Sequence, residues 1–159
     1  MPCLELHTIS KLSDFDTIQV DATHLTAKFM EEMGVNIVEQ RPRGFWLTFD
    51  GYYIRIIPSV FKENSPYSCQ LSAFIDYRGI GPENYHNDEL VKIVNEINST
   101  MSAVKVFIYK DGDLTFNLTL SFDYNLEAKL LLKWLQQITR TMRVIRELYF
   151  ERLRPYFKK

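Results

Sequence analysis

At 159 residues the chain is about one domain long, and its 46% hydrophobic and 25% charged composition is that of a folded globular protein, not a disordered one. A formal net charge of −1 excludes a global drive toward nucleic acid or an anionic membrane, and two cysteines exclude a disulfide framework. Eleven Phe, nine Tyr and two Trp supply a core and leave a surplus for a contact surface.

The opening "MPCLELHTISKLSDFD" lacks the basic region and apolar run of a secretory signal. No stretch approaches the ~18 apolar residues of a membrane span. A cytoplasmic location, with reduced thiols and no membrane partner, is therefore expected. Within this opening "LELHTI" reads as a short extended piece. A first helix is predicted over about 22–33, with Asp21 as N-cap, a staple between Val20 and Leu25, and Ala22, Leu25, Phe29 and Met33 on one face. Gly34 supplies its left-handed C-cap.

Strands follow. "VNIVEQ" is one, ended by the turn at 41–44. "FWLTF" and "YYIRII" flank Asp50-Gly51, a two-residue hairpin signal because both central positions need positive φ. "SCQLSAFIDY" at 68–77 is the next strand, beyond the loop that holds Pro58 and Pro66, and "RGIGPENYHN" is a loop. A second helix is predicted over 88–101, capped by Asn87, with Leu90, Ile93, Val94, Ile97 and Met101 at helical spacing.

The stretch "AVKVFIYKDGDLTFNLTLSF" at 103–122 is a hairpin. A two-residue Asp111-Gly112 loop would pair Phe107 with Phe116. A three-residue Lys110-Asp111-Gly112 loop would set Ile108 opposite Leu114, Val106 opposite Phe116 and Val104 opposite Leu118. A one-residue slip exchanges the faces, so the buried face decides for the three-residue loop. Lys105, Phe107, Tyr109, Thr115, Asn117 and Thr119 then lie on the far face. A long helix over 126–152 closes the chain. Leu126, Leu130, Trp134, Ile138, Met142, Ile145 and Tyr149 line one side, with Lys129, Lys133, Arg140, Arg143 and Glu147 opposite.

The order is helix, three or four strands, helix, two strands, long helix. That predicts a single α+β domain over 1–159, an antiparallel sheet with its helices on one face. The other face is then solvated or covered by a second subunit.

"LVKIVNEIN", the hairpin with "DGDL", the alternating "LTFNLTLSF" and the long amphipathic helix together resemble the YbjN family of proposed bacterial sensory transduction regulators. The polar signposts are Asn95, Asn98 and Asp111-Gly112-Asp113, and the resemblance runs from about Asp21 to Arg152. It implies the type III secretion chaperone-like fold, with helix–three strands–helix–two strands–helix order. It also implies a non-enzymatic, often homodimeric protein. Chaperones of that fold cradle an extended segment of a partner along the sheet.

The residues themselves offer little catalytic chemistry. His7, His24 and His86 have no metal-ligand spacing. Cys69 alternates with Leu71 and Ala73 and reads as a buried inert thiol. No phosphate-cradling Gly loop or Gly-x-Ser-x-Gly turn is present. "DGD" at 111–113 runs straight into a strand, unlike a calcium loop. Asn98-Ser99-Thr100 and Asn117-Leu118-Thr119 match glycosylation sequons, which carry no meaning in a cytoplasmic bacterial protein. Asn95 and Asn98 read as bonding backbone at the helix-to-strand corner. No enzyme activity, metal or cofactor is expected.

Two surface features remain. Phe45-Trp46 and Tyr52-Tyr53 place one ring of each pair on each sheet face. Outward Trp46, Tyr53, Phe107 and Tyr109 are therefore the candidate contact set for a protein or peptide partner or a second subunit. Residues 138–159 hold seven Lys or Arg against two Glu, which gives them +5 and leaves −6 for the rest. Arg140, Arg143 and Arg146 are the candidate anion site, but no aromatic stacking platform is recognisable beside them, which disfavours nucleic acid.

Overall fold

The computed structural model describes residues 2–9, 15–61, 68–109, 112–123 and 125–157. In chain order these form β1 (Cys3–Leu4), a short 3-10 turn, α1 (Phe15–Glu32), β2 (Asn36–Arg41), β3 (Gly44–Phe49), β4 (Tyr52–Phe61) and β5 (Ser68–Arg78). After a second 3-10 turn come α2 (Asp88–Thr100), β6 (Lys105–Ile108), β7 (Asp113–Phe122), β8 (Leu126–Glu127) and α3 (Ala128–Leu153). The fold is α+β with an antiparallel sheet. Four strands, not three, separate α1 from α2. The six-stranded sheet has the order β2-β3-β4-β5-β7-β6, and β1 pairs with β8 in a separate two-stranded sheet.

The chain divides into two compact units, residues 1–73 with 119–137 and residues 74–118 with 138–159. In the first, the Asp50-Gly51 turn adopts positive φ at both positions (51° and 80°), as a two-residue hairpin demands. Phe45 then pairs with Ile56 and Leu47 with Ile54, and all four are fully buried. Each stabilises the fold by ~1.5–3 kcal/mol. Helix α1 packs against β2, β3 and β4. On the terminal strand β2 a bulge between Ile37 and Glu39 breaks the ladder and leaves Val38 51% exposed. Such a bulge blunts an edge against pairing with other chains.

Helix α1 begins seven residues earlier than the apolar spacing predicts. Asp21 is therefore inside the helix and is not its cap, and Val20 and Leu25 are both exposed and form no staple. The buried side is polar as well as apolar. Thr23 and Thr26 donate to the Gln19 and Ala22 carbonyls four residues back (2.7 Å each), and buried Gln19 donates from Nε2 to the Pro58 carbonyl at 2.5 Å. Satisfied in this way, these groups bury at little cost. Gly34 has φ 87° and ends the helix as expected.

In the second unit, Asn87 caps α2 by accepting from the Glu89 and Leu90 N–H groups. Leu90, Ile93, Val94 and Ile97 are buried. The β6–β7 register pairs Ile108 with Leu114 and Val106 with Phe116, the three-residue alternative. Gly112 has φ 97°, and Tyr109 N–H donates to the Asp113 carbonyl at 2.9 Å; Lys110 and Asp111 lie outside the described residues.

The long helix starts at Ala128, because Leu126 and Glu127 are taken into β8 opposite Leu4 and Cys3. Leu130, expected on the apolar stripe, is 51% exposed; Leu131 and Leu135 are buried. Trp134, Ile138, Met142, Ile145 and Tyr149 are buried as expected.

Candidate functional site

In the first unit, alternation along β3 and β4 sends Trp46, Thr48, Tyr53 and Arg55 to the side opposite the core. Trp46 pairs across with Arg55, and Thr48 with Tyr53. Tyr53 is 50% exposed, while Trp46 is half-buried. The Arg41 guanidinium stands 5.2 Å from the Trp46 ring centre and also pairs with Glu39 at 2.9 Å. Arginine over an indole face is a favourable cation–π contact. The result is an outward patch of two rings and two cations on a rigid hairpin.

In the second unit, Phe107 and Tyr109 are 41% and 46% exposed, with ring centres 6.3 Å apart. Their backbone is well fixed. Asn98 of α2 donates from Nδ2 to the Val106 carbonyl (3.1 Å), and Val106 N–H donates to Asn98 Oδ1 (2.7 Å). The carboxamide thus pairs with β6 as another strand would, which is the structural role expected of Asn98. Thr115 departs from expectation. It lies opposite Phe107 but is fully buried, and its hydroxyl donates to Asp76 at 2.7 Å. The far face is therefore closed at Thr115 and open at Phe107 and Tyr109. The cavity beside this patch, about 470 Å³, is lined by Tyr85, His86, Ile108 and Tyr109.

Arg140, Arg143 and Arg146 are exposed along α3. Two further cations of the basic segment form ion pairs. Arg152 grips Glu96 through both guanidinium nitrogens (3.1 and 2.8 Å), and this hydrogen-bonded pairing holds the Glu96 carboxyl below its usual range. Arg154 pairs with Glu151 at 3.2 Å. Lys158 and Lys159 lie outside the described residues.

The segment is also not bare of rings. Arg146 lies 5.8 Å from the Phe150 ring centre, and Phe150 meets Tyr77 edge-on at 5.0 Å and Phe157 at 6.3 Å. The aromatic cluster beside Arg146 corrects the sequence reading. Its members come from β5, α3 and the C-terminal turn, so no local pattern announces it; "LYF" and "PYF" in the tail were the available signal.

Cys69 is fully buried, and burial, helped by the Asp123 charge, pushes its thiol up to about 11. That is the environment of an inert thiol. Among the described residues no group of three or more His, Cys, Asp or Glu side chains is placed to hold a metal. Among them also, no helix is long and apolar enough to cross a membrane.

No family model matches the chain, and no curated protein matches it by sequence. Solved structures share its fold, two of them as follows. One is YbjN of E. coli, a proposed transcription regulator, at 16% identity and TM-score 0.53, covering 77% of this chain and 86% of that one. The other is an uncharacterised protein from Methanothermobacter thermautotrophicus, at 12% identity and TM-score 0.53, covering 82% and 97%. At these identities the likeness establishes a YbjN-like α+β fold.

Proposed function

We propose that the protein is a non-catalytic, cytoplasmic binding module or regulator that holds an extended segment of a protein partner on the outward face of its hairpins, and that it works as a homodimer. The observation that carries the reading is the split of the ring pairs. In the first unit Phe45 and Tyr52 fill the core while Trp46 and Tyr53 point away from it, and in the second unit Phe107 and Tyr109 are exposed. Exposed rings on rigid strands are costly to leave in water and are favoured at buried contacts. The E. coli neighbour, named as a proposed transcription regulator, is in keeping with a regulatory role.

Selection from a displayed peptide library tests this. Peptides that bind should lose at least about tenfold in affinity with Tyr53→Ala or Phe107→Ala, the size expected for a contact hot spot. Peptides that bind both variants unchanged would remove these residues from the site.

A second reading, polyanion binding through Arg140, Arg143 and Arg146, is favoured by the exposure of all three along α3. It requires affinity for DNA or heparin that falls steeply with salt and drops when these three are neutralised.

A further inference from the structure

We propose that the open depression lined by Tyr77, Phe150 and Phe157 binds a small aromatic carboxylate, its ring laid against the outer side of this ring cluster and its carboxylate on Arg154. The cavity measures about 300 Å³ and is lined by these four residues. That is the lower end of the size range of small-molecule sites, ~300–1,000 Å³.

Each wall is fixed independently. Tyr77 packs edge-on against buried Phe116 at 5.7 Å, which sets its ring from the core side. Phe150 is held on α3 between Tyr77 and the Arg146 guanidinium. Phe157 forms a bridge with Ile80, and the turn before it is clipped down by Gly81 N–H (3.3 Å) and Asn84 Nδ2 (3.1 Å), both donating to the Tyr156 carbonyl. The walls therefore stand in place without a ligand, which keeps the ordering cost of binding low.

The charges choose the ligand. A cluster of three rings could in principle take a cation on its faces. Here Arg146 already lies over Phe150 and Arg154 lines the cavity, so an entering cation would meet two like charges. An anion would meet them as partners. Glu151 competes for Arg154, but that pair is exposed on both sides (74% and 79%), and exchange of such a pair costs little. A planar carboxylate also suits the guanidinium fork.

Protein-observed NMR titration of the full chain tests this, with 2-naphthoate, 2-naphthamide and phenyltrimethylammonium as probes. Saturable shifts should centre on Gly81 and Phe157. The carboxylate should bind at least about tenfold tighter than the amide, the size of one charge-assisted hydrogen bond. Phenyltrimethylammonium should bind more weakly than either. Arg154→Gln, an exposed position that leaves the walls intact, should abolish the preference for carboxylate. Phe150→Leu should weaken naphthoate at least about tenfold. Equal affinity for acid and amide, tighter binding of the cation, no saturable shift at this cavity, or a carboxylate preference that survives Arg154→Gln would each overturn the proposal.

Discussion

Replacing Asn98 by alanine tests how the outward hairpin of the second unit is held. The carboxamide makes both a donated and an accepted bond to one part-buried peptide unit, Val106. Truncation leaves that N–H and C=O without these partners, at ~1–2 kcal/mol each when water replaces them poorly. Alanine gains back ~0.5 kcal/mol as the better helix former near the end of α2. The net loss is ~1.5–3.5 kcal/mol, or a fall in melting temperature of ~3–14 °C for a chain of this size. Urea unfolding followed by circular dichroism should show a lower midpoint at unchanged slope. Asn98→Asp keeps the acceptor for Val106 N–H but sets a carboxylate against the Val106 carbonyl. It should be no more stable than the alanine variant at neutral pH, and should recover part of the loss in acid, when the carboxyl can donate. The uncovered edge should also raise concentration-dependent self-association, visible by light scattering. An alanine variant within about 0.5 kcal/mol of the parent would refute the strand-like role of the carboxamide.

Gly112→Ala should cost more than Gly34→Ala in the same unfolding assay. Both have positive φ, but a Cβ at Gly112 would stand 2.9 Å from the Ile80 carbonyl and the Tyr85 hydroxyl, whereas nothing lies within 4 Å at Gly34. Gly34→Ala should lose only the ~1–2 kcal/mol of a left-handed non-glycine residue, and equal losses would contradict the packing of the loop against Ile80 and Tyr85. Carbon-detected titration should place the Glu96 carboxyl below the ordinary 4.5, and Arg152→Gln should raise it; an unchanged value would remove the ion pair. Since folding lowers this value, the stabilisation is present at neutral pH and is lost as pH falls through the folded value. Cys69 should resist thiol reagents at pH 8 until the protein unfolds, while half-buried Cys3 reacts first. Because folding raises the Cys69 value from 9.0 to about 11, its linkage should lower stability as pH climbs through that window; reaction of Cys69 at the rate of Cys3 would contradict its burial.

The elements most legible in the sequence are those whose signals are local. Asn87 and the spacing of Leu90, Ile93, Val94 and Ile97 locate α2 to within a residue at its C-terminal end. Asp50-Gly51 and Gly112 set two hairpins because only a few residue types tolerate their backbone angles. The start of α1 is hidden because polar Gln19 stands on its buried side, which a search for apolar spacing passes over. The pairing of Leu126–Glu127 with Cys3–Leu4 joins segments far apart in sequence, so nothing near either one predicts it. The outward rings could be assigned by alternation, and Tyr53, Phe107 and Tyr109 are exposed as the pattern requires. Thr115 obeys the same alternation yet is buried, since Asp76 on a neighbouring strand reaches its hydroxyl. The aromatic cavity was illegible for the same reason as β8, because its walls are assembled from three separate segments.

The most direct test of the central claim is in-cell photo-crosslinking, with a photoreactive phenylalanine analogue placed in turn at positions 53, 107, 109, 140 and 143. Protein adducts are expected from 53, 107 and 109, to a partner or to a second copy of the chain, and none specific to 140 or 143. Adducts confined to 140 and 143, with the hairpin positions silent, would contradict the claim.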